Sequence, residues 1–176
     1  RALLAALCGG TLALSGAILQ ALLRIPLAVP YILGISAGAS TGAVAVMILG
    51  FGGAVLTISG GAFLGAVVAL LVVALLATGA GGSSDRVILA GVAGSQLFNA
   101  ATATIVTTLA NAEQARGVMF WLLGNFGGVR WPDVWVATPV ALICFGVCML
   151  HAKVLDAFAF GADAAASLGV AVTRVR

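Results

Sequence analysis

An all-α, polytopic transmembrane helix bundle of five spans is the fold class this sequence predicts, and three observations lead there. The chain is 62% hydrophobic with 7% charged residues and a mean hydropathy of +1.24, which leaves too little polar surface to cover a soluble core. Of its formal charges, eight basic and five acidic, none falls in 2–23, 32–50, 54–77 or 87–110, and 134–152 holds only His151. Each run comes close to the roughly 20 residues a helix needs to cross a hydrocarbon core about 30 Å thick. The runs are continuous and rich in Ala, Leu and Gly, which excludes the alternating segments of about ten residues that mark a membrane β-barrel.

The first span, 2–23, lacks a basic leader and a cleavage site, so it is not a signal peptide. It ends in "RIPLAVPY", 24–31, where Pro26 and Pro30 each remove a backbone donor and disfavour helix in the residue before. The chain must therefore break after Arg24 and restart near Ile32. In the second span Gly34, Gly38 and Gly42 form two overlapping G-x-x-x-G units, and Gly61, Gly65 and Ala69 repeat that spacing in the third. Such stripes let helix backbones approach closely in lipid, where the hydrophobic effect does not drive helices together.

Between the third and fourth spans "GAGGSSDR", 79–86, reads as a flexible turn, with Asp85 placed to cap a helix starting near Val87. Its glycines do not make a phosphate loop: no G-x-x-x-x-G-K-[ST] exists and the single lysine is Lys153. Any energy source belongs to a partner. In the fourth span Gln96, Asn99 and Thr102 recur at three-residue spacing, so one helix face either lines a water-filled path or hydrogen-bonds neighbouring helices. No span carries an acidic residue, which argues against proton or sodium coupling within this stretch.

The longest connection, 111–133, mixes charge, aromatic residues and glycine. Within it "RGVMFWLLGNF" is too short to span, and Phe120, Trp121, Phe126 and Trp131 suit an interfacial helix, a re-entrant segment or an aromatic belt. Pro132 and Asp133 suit the first turn of the fifth span. If the segment after that span is cytoplasmic, Arg24, Arg86, Lys153, Arg174 and Arg176 gather inside against Arg1, Arg116 and Arg130 outside, as the positive-inside rule favours.

Several other chemistries are weakened by the same residues. The basic residues are scattered and form no nucleic-acid stripe. Cys144 and Cys148 share a face at four-residue spacing, which suits a soft-metal site or plain apolar packing; packing is the preferred reading and no metal is assigned. "GISAG", 34–38, and "GASTG", 38–42, match G-x-S-x-G, but they sit on an apolar helix and not on a strand-to-helix elbow. An intramembrane serine protease using Ser36 or Ser40 is the alternative from the enzyme class. The chain begins at Arg1 and ends in "VTRVR" after a polar segment, so it reads as part of a longer protein.

"GGTLALSGAILQALLRIPLAVPYILGISAGAS" resembles the signature of the FecCD/BtuC-type permeases, the membrane subunits of ABC importers for iron-siderophores, haem and vitamin B12. The signature turn is carried by Pro26, Leu27, Pro30, Gly34 and Gly38, with Gly9, Leu12, Gln20, Ala28, Leu33, Ser36 and Ala39 also fitting. "RVILAGVAGSQLFNA", "FWLLGNFGGVRW" and "FGADAAASLGV" extend the likeness to the end of the chain. Ile25 stands where the family has Asn, Ala162 where it has an acidic residue, and Ala166 where a basic one is common.

The resemblance implies a partial importer transmembrane domain over 1–176, covering the second through sixth spans of a permease with roughly ten spans of about 20 residues each. It implies a transport subunit of the bacterial inner (plasma) membrane, not an enzyme, with no cofactor of its own and no nucleic-acid partner. Its partners would be a second permease subunit, an ABC ATP-binding subunit, a periplasmic or lipoprotein substrate-binding protein and the lipid bilayer. Within a coupling segment at 156–170, Gly161, Asp163, Ala165, Leu168 and Gly169 would form a short helix docked on the ATPase. Asp163 suits a helix N-terminus, Leu168 an apolar anchor and Gly169 a stop. Arg1 would dock the binding protein, with Arg116 and Arg130 adding charge, and Gln96, Asn99 and Thr102 are the translocation-path candidates. A metal-ion ABC permease is the alternative within transport, and would be expected to bring more His and acidic residues into its spans.

Overall fold

The computed structural model of the chain describes residues 1–23, 29–50, 57–79, 84–124 and 126–152, and every regular element among them is helical. In order these are α1 (Ala2–Leu23), a 3₁₀ turn (Pro30–Leu33), α2 (Ile35–Leu49), α3 (Ile58–Gly79), α4 (Ser84–Leu109), α5 (Ala112–Leu123) and α6 (Trp131–Leu150). Helices α1, α3, α4 and α6 are long and apolar enough to cross a membrane, and α2 is a shorter apolar helix.

The second element differs from the expected span at 32–50. Its α-helix begins only at Ile35 and its 15 residues rise about 22 Å, short of a full crossing. The cause is Gly34, whose φ of 71° is left-handed and cannot belong to an α-helix, so the chain from Pro30 tightens into the 3₁₀ turn instead. Helix α4 begins at Ser84 and not near Val87, which puts Asp85 inside the first turn. Helix α6 begins at Trp131, where Pro132 occupies the first turn and the Asp133 carboxylate accepts from the Arg130 backbone N–H at 2.8 Å.

The connection at 111–133 contains a 12-residue helix, α5, longer at its start than the expected "RGVMFWLLGNF". Asn111 and Gln114 fix that start reciprocally: the Asn111 side chain accepts from the Gln114 N–H at 2.8 Å, and the Gln114 side chain accepts from the Asn111 N–H at 3.0 Å.

The chain divides into two compact units, residues 1–29 with 126–176, and Pro30–Asn125. In the first, α1 packs on α6 with their N-terminal ends together. In the second, α2 touches α3, α4, α5 and the 3₁₀ turn. The two glycine stripes meet face to face across α2 and α3. A Cβ on Gly38 would lie 2.6 Å from the Gly65 carbonyl oxygen, and one on Gly61 would lie 2.8 Å from that of Gly42. Beyond Gly65 the same face of α3 continues through Ala69, Val73 and Ala77, all buried, and Val73 reaches the backbone of α4 at Gly94. Dispersion contact between bare backbones is what holds this pair in an apolar medium.

Candidate functional site

The candidate site is built around α4, an uncharged stretch from Val87 to Leu109 locked to α2 on one side and open on the other. Two devices lock it. At its N-terminal half, Gly91 receives the 3₁₀ turn: a Cβ there would meet the Ile32 carbonyl oxygen and lie 3.1 Å from Leu33 Cα. Gly34 faces the same spot, 3.0 Å from Ser95 Oγ and 3.1 Å from the Gly91 oxygen as measured from its own virtual Cβ. Ser95 donates to the Gly91 carbonyl at 2.8 Å, so its hydroxyl is satisfied inside the seat. One turn and a half further on, Thr41 of α2 reaches α4. Its hydroxyl lies 2.8 Å from Thr102 Oγ1, 2.9 Å from the Phe98 carbonyl oxygen and 3.0 Å from that of Ala37.

A threonine hydroxyl has one proton to give. The geometry is satisfied when Thr102 donates to Thr41 and Thr41 donates to a carbonyl, either Phe98 on the opposite helix or Ala37 on its own. This is a polar clamp between two apolar helices.

The expected face of Gln96, Asn99 and Thr102 is therefore divided. Gln96 and Asn99 are exposed on the outer side of α4, whereas Thr102 turns inward to Thr41. Thr102 serves the interhelical contact, and Thr41, which carries that contact, was not singled out by spacing.

Of the signature turn, Pro26 and Leu27 lie outside the described residues. Pro30 opens the 3₁₀ turn, Gly34 caps α2 in the left-handed conformation, and Gly38 sits against Gly65 and Ala69. Gly161, Asp163, Ala165, Leu168 and Gly169 also lie outside the described residues.

In the unit that contains α1 and α6, Arg1 donates from Nη2 to the Gly127 carbonyl at 2.8 Å. Arg1, Leu3, Val129, Arg130, Trp131 and Val134 line a cavity of about 190 Å³ at the joined N-terminal ends. Arg116 is exposed on α5 in the other unit. Cys8, Cys144 and Cys148 are free thiols, and among the described residues no three His, Cys, Asp or Glu side chains gather as a metal site. Ser36 and Ser40 lie within α2, where the Ser40 hydroxyl donates back to the Ser36 carbonyl at 3.0 Å, so neither occupies a nucleophile elbow.

The model of the FecCD transport family matches residues 1–176. The cobalamin import system permease protein BtuC of Halobacterium salinarum is 37% identical over 177 residues, covering 100% of this chain and 47% of that protein. The vitamin B12 import system permease protein BtuC of Klebsiella pneumoniae is 37% identical over 175 residues, covering 97% of this chain and 51% of that protein. A solved structure, described as an inward-facing conformation of a metal-chelate type ABC transporter, superposes with a TM-score of 0.83 at 28% identity over 98% of this chain and 55% of that one. The chain spans about half the length of the curated relatives it matches. With a helical fold, membrane-length apolar helices and a match running from first residue to last, this chain belongs to the FecCD transport family.

Proposed function

We propose that the chain is part of the permease subunit of an ABC importer that moves an iron-siderophore, haem or cobalamin type chelate across the bacterial inner (plasma) membrane without chemical change. Family membership over the whole chain supports the importer, and the printed functions of the relatives, cobalamin and vitamin B12 import, support a large chelate as cargo. The observation that carries the reading is α4, an uncharged helix clamped to α2 by Thr41 and Thr102 while Gln96 and Asn99 face outward. Amide side chains within a span belong against a water-filled path or another polar surface, because lipid leaves them unsatisfied. Gln96 and Asn99 line the path; Thr102 holds the helix that presents them.

Two permease subunits enclose the path, and ATP is hydrolysed on separate partner subunits. The segment at 156–170, with Asp163 at its start and Leu168 as anchor, docks as a short helix in a groove of the ATPase and carries rigid-body motion to the spans. On the outer face Arg1 and Arg130, beside the cavity at the ends of α1 and α6, and Arg116 on α5 attract carboxylates of a substrate-binding protein.

The test is uptake by the full-length permease, reconstituted in proteoliposomes with its ATPase and binding protein. Cobalamin, a ferric siderophore and haem are offered in turn, with free ferric ion as the control. ATP-dependent accumulation of one chelate is expected. Accumulation of the free ion with none of the chelates, or chemical conversion of a chelate in place of transport, overturns the reading.

A further inference from the structure

The outer faces of α3 and α4 differ in chemistry. On α3 the outward positions are large and apolar, with Phe63 69% and Leu75 71% exposed. On α4 the outward positions from Asn99 to Thr108 contain no exposed Leu, Ile, Val or Phe at all: they are Asn99, Ala100, Ala103, Thr104, Thr107 and Thr108. The hydroxyls there are already committed. Thr104 donates to the Ala100 carbonyl at 2.8 Å, Thr107 to that of Ala103 at 2.8 Å, and Thr108 to that of Thr104. A hydroxyl that has given its only proton to its own helix keeps oxygen lone pairs to offer outward, so these side chains present acceptors and no donors.

Residues 96, 99, 103 and 107 follow one another at steps of three or four and so form a continuous stripe on the outer side. Gln96 and Asn99, at its start, make no hydrogen bond among the described residues. We propose that this stripe, extended from Gln96 and Asn99 through Ala103 to Thr104 and Thr107, is the wall of the aqueous passage on α4, and that it accepts hydrogen bonds from donor groups of the passing solute. The inference rests on the transport reading above and adds Thr104 and Thr107 as specificity-determining residues.

Lipid is a poor neighbour for such a stripe, since it would leave the amides of Gln96 and Asn99 unsatisfied. A tightly packed helix is also a poor neighbour. Close backbone contacts to α4 in this protein pass through glycine, at Gly91 and Gly94, and the chain from 96 to 108 has none. The stripe carries no carboxylate, thiol or imidazole either, so a bare metal cation would find no strong ligand there. Its neutral acceptors suit a solute that turns amide, hydroxyl or ammonium hydrogens outward and must let go at each step.

Single cysteines at Gln96, Asn99, Ala103, Thr104 and Thr107 are introduced into the full-length, assembled importer after its native cysteines are replaced. A membrane-impermeant, cationic methanethiosulfonate is then applied. Modification at 96, 99, 103 and 107, with Leu71→Cys on the outer side of α3 unmodified, is the expected pattern. Modification at 96 and 99 with 103, 104 and 107 silent overturns this inference and leaves the passage reading standing. Silence at all of them, while Arg116→Cys reacts, overturns both. Transport supplies a second readout: Thr107→Val keeps the side-chain shape but removes the acceptor, so uptake of a donor-bearing chelate is expected to fall by about threefold to tenfold. Thr107→Ser is expected to restore it; unchanged uptake in Thr107→Val contradicts the acceptor role.

Discussion

Thr41 on α2 and Thr102 on α4, 61 residues apart in sequence, share a hydrogen bond of 2.8 Å, and Thr41 also lies 2.9 Å from the Phe98 carbonyl four residues before Thr102. Thr41 thus occupies the place on α4 where the Thr102 hydroxyl would otherwise bond its own helix. That exchange turns an ordinary intrahelical back-bond into a tie between two spans.

Breaking the tie from either side should cost about the same and only once. Thr41→Val and Thr102→Val are each expected to destabilise the full-length permease by about 0.6–1.7 kcal/mol. The double variant is expected to lose much less than the sum, because removing both partners leaves no orphan. Equilibrium unfolding in detergent micelles measures the cycle, and strict additivity would show that the pair is not coupled.

Gly42 and Gly61 test the backbone contact between α2 and α3. A Cβ on Gly42 would meet the Gly61 carbonyl, so Gly42→Ala is expected to cost about 1–3 kcal/mol through forced separation of the helices. Gly117→Ala on α5 is the control. Its Cβ would find only Met47 Cε at an ordinary 3.6 Å, and the substitution is expected to be neutral or to stabilise by about 0.5–1 kcal/mol. Thermal unfolding of the two variants should move in opposite directions or leave Gly117→Ala unmoved.

Gly34 combines two constraints, a φ of 71° and a seat against Ser95 and Gly91. Gly34→Ala is expected to cost about 1–3 kcal/mol. If backbone strain alone were responsible, adding Ser95→Ala to relieve the 3.0 Å contact would recover nothing; partial recovery is expected in the double variant. Equilibrium unfolding of the two variants measures the difference.

Asn111 governs the start of α5. Asn111→Ala is expected to lose about 1 kcal/mol of local stability, and Asn111→Asp to retain most of it. Hydrogen exchange at the amides of Gln114 and Ala115 reads this directly, since the first loses its side-chain acceptor.

Much of this fold was legible in the sequence, for identifiable reasons. Charge-free runs marked the apolar helices because a formal charge cannot sit in hydrocarbon without a partner. The glycine stripes of the second and third runs were visible, although their mutual contact was a matter of three-dimensional pairing. The late start of α2 was hidden because Ile32, Leu33 and Gly34 continue the apolar run; only the backbone conformation of Gly34 shows that the helix has not begun. The N-A-E-Q pattern at 111–114 could have placed the start of α5, since it holds Asn and Gln at capping-box spacing. On the candidate site, the spacing of Gln96, Asn99 and Thr102 misled. Each step of three residues falls about 60° short of a full turn, so two steps carry Thr102 about 120° from Gln96 and into the α2 contact. Its partner Thr41 could not be found by any local pattern.

The central claim, that this chain couples ATP hydrolysis on a partner to movement of its spans, is tested most directly by disulfide cross-linking. In the full-length permease a cysteine at Asp163 or Ala166 is paired with cysteines lining the surface groove of the ATPase. Cross-linking whose yield changes on ATP binding is the predicted result. No cross-link to a folded, bound ATPase, with uptake intact, would contradict the assignment of 156–170 as the coupling segment and with it the proposed route of force.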